Sequence, residues 1–243
     1  MKVTSGLPIM LLAGALSGLS PVLAATISFN QNLIINGDAE SDVGSSTGDN
    51  IGPVSGFQTN STNFTVTKYG SVISSGSFPS LTDPGPVNRG VNFFSGGPNN
   101  AASSAHQLID VSSIASSIDL GSTGYALSGF LGGFSSQGDN AVLTATFFND
   151  QNAPLGFGTI GPVTNLDRNN ATGLLERSTD GIIPVGTRSI EIALALHRQA
   201  CCYNDGYADN LSLTLNPVPL PAAALLFVPG ILGLGALVHR KRS

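Results

Sequence analysis

Ser189-Ile190-Glu191-Ile192-Ala193-Leu194-Ala195-Leu196-His197 sets Ile190, Ile192, Leu194 and Leu196 on one side of an extended chain. A repeat of two is that of a half-buried strand, because successive side chains of a strand point to opposite faces. Upstream, Ala141-Val142-Leu143-Thr144-Ala145-Thr146-Phe147-Phe148 reads the same way and stops at the turn Asn149-Asp150-Gln151-Asn152. Downstream, residues 208–215 place Leu211, Leu213 and Leu215 on one face. Shorter candidates are Asn32-Leu33-Ile34-Ile35-Asn36 and residues 64–69, 91–94, 107–111 and 125–131. Between them, residues 41–56 hold few apolar side chains and residues 78–89 carry Pro79, Pro84 and Pro86, so both read as loops. No stretch of residues 25–215 keeps a helical period. Short strands in such a series, separated by turn signals, predict one all-β domain, a β-sandwich or jelly roll.

Composition narrows the partners. All 15 acidic residues lie within 25–215, whereas four of the ten Lys and Arg lie outside, leaving six positive charges against fifteen negative, or −9. A body that acidic, with no basic cluster, excludes nucleic acid as its partner and anionic head groups as its docking surface. It is compatible with neutral sugars or with Ca²⁺.

The two ends read as addresses. Lys2, an apolar stretch over residues 7–19 and the small-residue site Val22-Leu23-Ala24 predict a signal peptide over residues 1–24, for signal peptidase and the general export machinery. At the other end, Val218-Pro219-Leu220-Pro221-Ala222-Ala223 leads into an apolar run over residues 222–238, which is followed by His239-Arg240-Lys241-Arg242-Ser243. As a helix those 17 residues would reach about 25 Å, at the short end of a membrane span. The basic tip over residues 239–243 would stay cytoplasmic. An ordinary membrane anchor needs only the run and the charges and leaves the Pro-x-Pro unexplained.

That order of elements over residues 216–243 resembles the PEP-CTERM sorting signal of Gram-negative bacteria, also catalogued as the ice-binding-protein C-terminal domain, in a Val-Pro-Leu-Pro form. The resemblance implies an exosortase as partner, transient membrane anchoring, and removal of the tail at the cell surface or in the extracellular matrix. A second resemblance lies in the body. Asn32-Leu33-Ile34-Ile35-Asn36-Gly37-Asp38-Ala39-Glu40 is similar to the first strand of galactose-binding-domain-like jelly rolls, which include many carbohydrate-binding modules, although an aromatic usually stands where Ala39 does. Gly206-Tyr207-Ala208-Asp209-Asn210-Leu211-Ser212-Leu213 is similar to their last strand. In that family the two strands are neighbours and often hold a structural Ca²⁺. The resemblance therefore implies Glu40 and Asp209 as ligands, with Asp38 a third. The alternative is an acidic turn after a strand.

Cys201-Cys202 is the only cysteine pair. In an exported protein it forms a vicinal disulfide, two thiols or a bridge between chains. The adjoining Tyr203, Asn204, Asp205 and Tyr207 combine aromatic faces, an amide and a carboxylate, the groups that hold sugars. They are equally the groups of a polar turn, and the chain has no Trp. Gly44-Ser45-Ser46-Thr47-Gly48 fits a nucleophile-elbow pattern but lacks the strand before and helix after that the motif requires. His106 and His197 are too few for a histidine-metal cluster. The sequence thus points to an exported, non-catalytic protein that binds or structures polysaccharide. A secreted hydrolase acting on exopolysaccharide and a purely structural coat protein are the alternatives.

Overall fold

The alternation at residues 189–197 becomes the strand Ser189–His197, and the side chains of Ile190, Ile192, Leu194 and Leu196 are all fully buried. The computed structural model describes residues 27–60, 63–73, 76–200 and 202–219. In chain order its strands are β1 (Gln58–Thr59), β2 (Thr65–Lys68), β3 (Val72–Ile73), β4 (Gly76–Ser77), β5 (Asn92–Pro98), β6 (Ala102–Asp110), β7 (Thr123–Gly133), β8 (Asn140–Phe148), β9 (Pro154–Ile160), β10 (Gly173–Ile182), β11 (Ser189–His197) and β12 (Tyr203–Pro217). Among the described residues one short α-helix, α1 (Ala115–Asp119), follows a 3-10 turn over Ser112–Ile114.

Two five-stranded sheets face each other. The front sheet runs β10-β7-β12-β5-β2 and the back sheet β1-β6-β11-β8-β9, with antiparallel neighbours throughout. From β5 to β12 the chain crosses between sheets so that β5-β12-β7-β10 lies over β6-β11-β8-β9, which is the jelly-roll order. Leu127, Leu131, Leu211 and Leu213 of the front sheet meet Leu143, Phe147, Ile192 and Leu194 of the back sheet in one core.

The opening residues differ from the expected strand. Asn30, Asn36 and Ala39 have positive φ (61°, 56° and 59°), which breaks regular extension. The segment nevertheless pairs with the end of the chain. Asn30 N–H donates to the Leu215 carbonyl at 2.8 Å, Leu33 N–H to Leu213 at 2.9 Å, and Leu211 N–H to Gly37 at 2.8 Å. The Asn32 side chain closes the seam, with its Nδ2 donating to the Leu211 carbonyl at 3.0 Å and its Oδ1 accepting the N–H groups of Ile34 and Leu213. A Cβ at position 37 would lie 2.2 Å from the Leu211 carbonyl oxygen, so this approach requires Gly37.

Two strands, β9 and β10, carry no apolar alternation that marks them. β10 is an edge strand bearing Glu176, Arg177 and Asp180, and charge along an edge blocks pairing with a second chain. The expected signal peptide, the part of the expected sorting signal beyond Pro219 and the apolar run all lie outside the described residues. Among the described residues no helix is long and apolar enough to cross a membrane.

Replacing Asn32 by Ala strands the Leu211 carbonyl and Leu213 N–H, and should cost about 1–3 kcal/mol. A urea midpoint that stayed put in Asn32→Ala would show that the seam does not hold the fold.

Candidate functional site

The outer face of the front sheet divides into a covered and an open half. Over the covered half, residues 78–90 fold down on the sheet. Phe78 packs against Phe93, Tyr203 and Tyr207 at ring separations of 6.1, 5.3 and 6.2 Å, and Phe93 stacks edge-on against Tyr207 at 5.2 Å. Arg89 clamps the loop by donating to the carbonyls of Ser80, Asp83 and Pro86, and its guanidinium lies 5.3 Å from the Tyr69 ring.

Two carboxylates are sealed beneath this aromatic layer. Asp209 accepts the Tyr69 hydroxyl at 2.6 Å and the Asn210 N–H at 2.7 Å. Burial pushes its carboxyl up to about 8, against the pull of those two donors, with Glu40 and Asp38 adding to the rise. Asp205 accepts the Tyr207 hydroxyl at 2.5 Å, and burial raises it to about 6. Burial likewise raises Tyr69 and Tyr207 well above the usual phenol, and Tyr203 to about 12, so all three hydroxyls stay protonated as donors.

The open half is laid out in register. Glu176, Phe130 and Asp209 stand side by side across β10, β7 and β12, then Ser178, Ser128 and Ser212, then Asp180, Ala126 and Thr214. Leu127, Leu131, Leu211 and Leu213 fill the inner positions of β7 and β12, so these rows point outward. Glu176, Ser178 and Asp180 are exposed, while Phe130, Ser128, Ser212 and Thr214 are half-buried. Beside Ser212 the shelf drops into a groove of about 370 Å³ lined by Asn32, Asn36, Asp38, Asn88 and Asn210, among others. Across it the Asn210 amide donates to Asn88 Oδ1 at 3.0 Å.

The residues expected to form a ligand loop lie instead within β12. Tyr207 and Asn204 are fully buried, and Asp205 nearly so. Asn204 donates to the Leu196 carbonyl and to Asn100 Oδ1, both at 3.0 Å, and a Cβ at Gly96 would strike it at 2.2 Å. Of the four, Tyr203 alone is half-exposed, and its hydroxyl donates to the Gly48 carbonyl at 2.7 Å. That contact gives the 44–48 loop a structural task, with Ser45 bridged to Thr67 rather than set at a strand-to-helix turn. These buried polar groups are tied to one another, so the set as a whole offers no open ligand face.

Asp38 and Glu40 are close enough to Asp209 to raise its pKa, and one oxygen of each accepts from the backbone. Glu40 Oε1 accepts the N–H groups of Val91 and Asn92, both at 2.8 Å, and Asp38 Oδ1 accepts the Glu40 N–H at 3.3 Å. Among the described residues no three His, Cys, Asp or Glu side chains are grouped to hold a metal ion. A hard cation needs six to eight free oxygens, and this arrangement does not fit Ca²⁺. The vicinal pair cannot be described, since Cys201 lies outside the described residues; Cys202 is exposed, with φ of 82°. Val218 and Pro219 follow β12, while Leu220 and Pro221 lie outside.

Asp139 was not singled out in the sequence. It is fully buried and accepts the N–H groups of Gln199, Ala200 and Asp205 at 2.6, 2.8 and 2.9 Å, which pins the β11–β12 connection. Phe130 and Glu176 also escaped notice, although Phe130 sits in the expected strand 125–131, at an outward position of its alternation.

The fold and face together define a jelly-roll β-sandwich with one open, acidic, hydroxyl-rich shelf. No family model matches the chain, and no curated protein sequence does. Solved structures similar to it include TmCBM61 in complex with β-1,4-galactotriose, at 14% identity over 77% of this chain and 99% of that one, TM-score 0.42. A family 16 carbohydrate-binding module-2 matches at 15% identity over 75% of this chain and 99% of that one, TM-score 0.45. The enzymatically active domain of bacteriophage CBA120 tailspike protein 4 matches at 15% identity over 77% of this chain and 21% of that one, TM-score 0.43. At these values the likenesses assign no residue of this chain a role.

The buried acids make stability depend on pH. Asp209 keeps its proton in the folded chain up to about 8 but loses it near the ordinary carboxyl value of 3.8 when unfolded. The folded state then binds more protons across that window, so stability falls as pH rises from about 4 to about 8. Asp209→Asn removes this term, and its stability relative to wild type should climb across the same window by an amount on the order of a few kcal/mol. Urea midpoints taken at several pH values read the difference; a pH-independent gap would refute the assignment.

Proposed function

We propose that this chain is an exported, non-catalytic carbohydrate-binding protein of the cell surface or extracellular matrix, and that a neutral polysaccharide lies along the open half of the front sheet. The observation that carries this reading is the registered rows, in which Phe130, half-buried at the edge of the aromatic layer, is flanked by Glu176 and followed by a rank of three serines and by Thr214. A sugar presents one apolar ring face and a rim of hydroxyls. An aromatic surface takes the first, and carboxylates, amides and hydroxyls take the second. The adjoining groove of asparagines adds amide donors and acceptors in reach of the same ligand.

The charge on the shelf favours a neutral polymer. Glu176 and Asp180 are exposed there, and a uronic-acid polymer would meet like charges. A hydrolase reading draws no support from Asp205 and Asp209. Their raised pKa values suit a general acid, but Asp209 is 0% exposed and its carboxylate faces Tyr69 rather than a substrate. The export half of the reading, with signal peptidase and exosortase as partners, rests on residues 1–24 and 216–243 of the sequence.

Affinity electrophoresis through gels containing neutral polysaccharides tests the reading. Wild type should be retarded in at least one, and Phe130→Ala should weaken that binding about tenfold, the loss of roughly 1.4 kcal/mol of stacking. Glu176→Gln should weaken it less. Folded wild-type protein that ran freely in every neutral gel, or a Phe130→Ala variant retarded as strongly as wild type, would overturn it.

A further inference from the structure

Both ends of the described chain meet the sandwich on one side. β12 ends at Pro217, and Val218 N–H still donates to the Ser122 carbonyl at 2.8 Å, so the chain leaves beside the start of β7. Ile27, the first described residue, donates its N–H to Ser113 Oγ at 3.4 Å, just before α1.

The surface around this exit is apolar. Leu120 caps α1, Leu155 lies in β9, Ile182 ends β10 and Val185 follows it; they are 65, 39, 53 and 60% exposed. They belong to one rim. Ile182 stands opposite Gly124, where a Cβ would lie 3.1 Å from Val218 Cγ2. A Cβ at Gly186 would lie 3.8 Å from Leu155 Cδ1, and Gly186 N–H donates to Asp119, the neighbour of Leu120, at 3.1 Å. Leu108 and Phe157, 67 and 68% exposed, stand one row up the back sheet at the two ends of a row whose middle is Glu191 and Thr146. Exposed apolar side chains gathered at one end of a sandwich mark a contact site.

The sequence indicates what covers it. Only Leu220 and Pro221 separate Pro219 from the 17-residue apolar run over residues 222–238, a reach of about 10 Å. A run of that length and composition suits a hydrocarbon interior. With the run in a bilayer, a tether that short holds the exit side of the sandwich at the lipid surface.

We propose that the rim of Leu120, Leu155, Ile182 and Val185 is a membrane-contact surface that rests at the boundary between head groups and acyl chains while the tail is in the bilayer. This goes beyond glycan binding and rests on the membrane-directed reading of the tail, not on the shelf. Asp110, Asp150 and Arg188 line the groove next to Leu108, and Arg188 is already paired with Asp119, so the surface suits zwitterionic rather than anionic head groups.

The chain contains no Trp, so each introduced one reports alone. Full-length protein carrying Val185→Trp, Leu120→Trp or, on the far side of the sandwich between β9 and β10, Leu166→Trp is reconstituted with phosphatidylcholine vesicles. Leu166 is 74% exposed and serves as the distal control. Lipids with brominated acyl chains should quench the tryptophans at 185 and 120 several-fold more than the one at 166, and shift their emission to the blue. Vesicle-bound protein with equal quenching at all three positions, or with none at 185 and 120, would overturn the rim while leaving the tail's membrane reading intact. Protein that failed to float with the vesicles would overturn both.

Discussion

The fold depends on the seam between the start of the chain and β12. β12 is hydrogen-bonded to β7 along one edge, and its other edge is shared by β5 at residues 203–208 and by the 30–37 segment further on. It gives Leu211, Leu213 and Leu215 to the core and Tyr207 and Asp209 to the outer layer. The bulge between Asp209 and Ser212 is where the edge passes from one partner to the other. Asn210 takes φ of 48° there, and the extra residue turns Leu211 inward. Asn32 matters because it supplies donor and acceptor to backbone groups that an irregular neighbour leaves unpaired.

What was readable in the sequence follows from how each strand is packed. β11 has solvent on one face and core on the other, so its alternation is plain. β8 and the Leu211-to-Leu215 part of β12 are readable for the same reason. β10 sits at an edge with a polar outer row, and its inward positions include Arg177 and Thr179, so no apolar repeat betrays it. β9 holds Gly156 and Gly158 at alternate positions; a Cβ at Gly158 would strike the Tyr125 hydroxyl at 2.5 Å, so ring packing from another strand replaces its own side chain.

The site is less legible in the sequence than the fold because polarity along a chain does not report exposure. Tyr203, Asn204, Asp205 and Tyr207 look like a surface loop until their partners are known. Burying them is tolerable because each polar atom has a mate: Asn204 has Leu196 and Asn100, Asp205 has Tyr207, and the Asp205 N–H has Asp139. Those mates lie up to about a hundred residues away in sequence, and spacing along a chain does not encode them. Phe130 meets the same limit. Its outward position follows from the alternation of residues 125–131, but its neighbours Glu176 and Asp209 come from other strands and only the register supplies them.

The covered and open halves of the front sheet are joined through Asp209. It stands beside Phe130 in the outermost row of the shelf, yet its carboxylate is held by Tyr69, whose ring carries Arg89 and with it the loop over residues 78–90. A neutral Asp209 lets Tyr69 pack in an apolar layer, tilted against Phe93 at a ring separation of 4.8 Å. An ionised one would place a charge under that layer with two neutral donors to hold it. The wall at the end of the shelf is therefore bound to the protonation of an acid that solvent does not reach. The inner core between the sheets is built from aliphatic side chains such as Leu127, Leu131, Leu143 and Ile192. The aromatic layer over the front sheet should yield before the jelly roll beneath it, so the shelf can lose its end wall while the strands that display Phe130 and Glu176 stay paired.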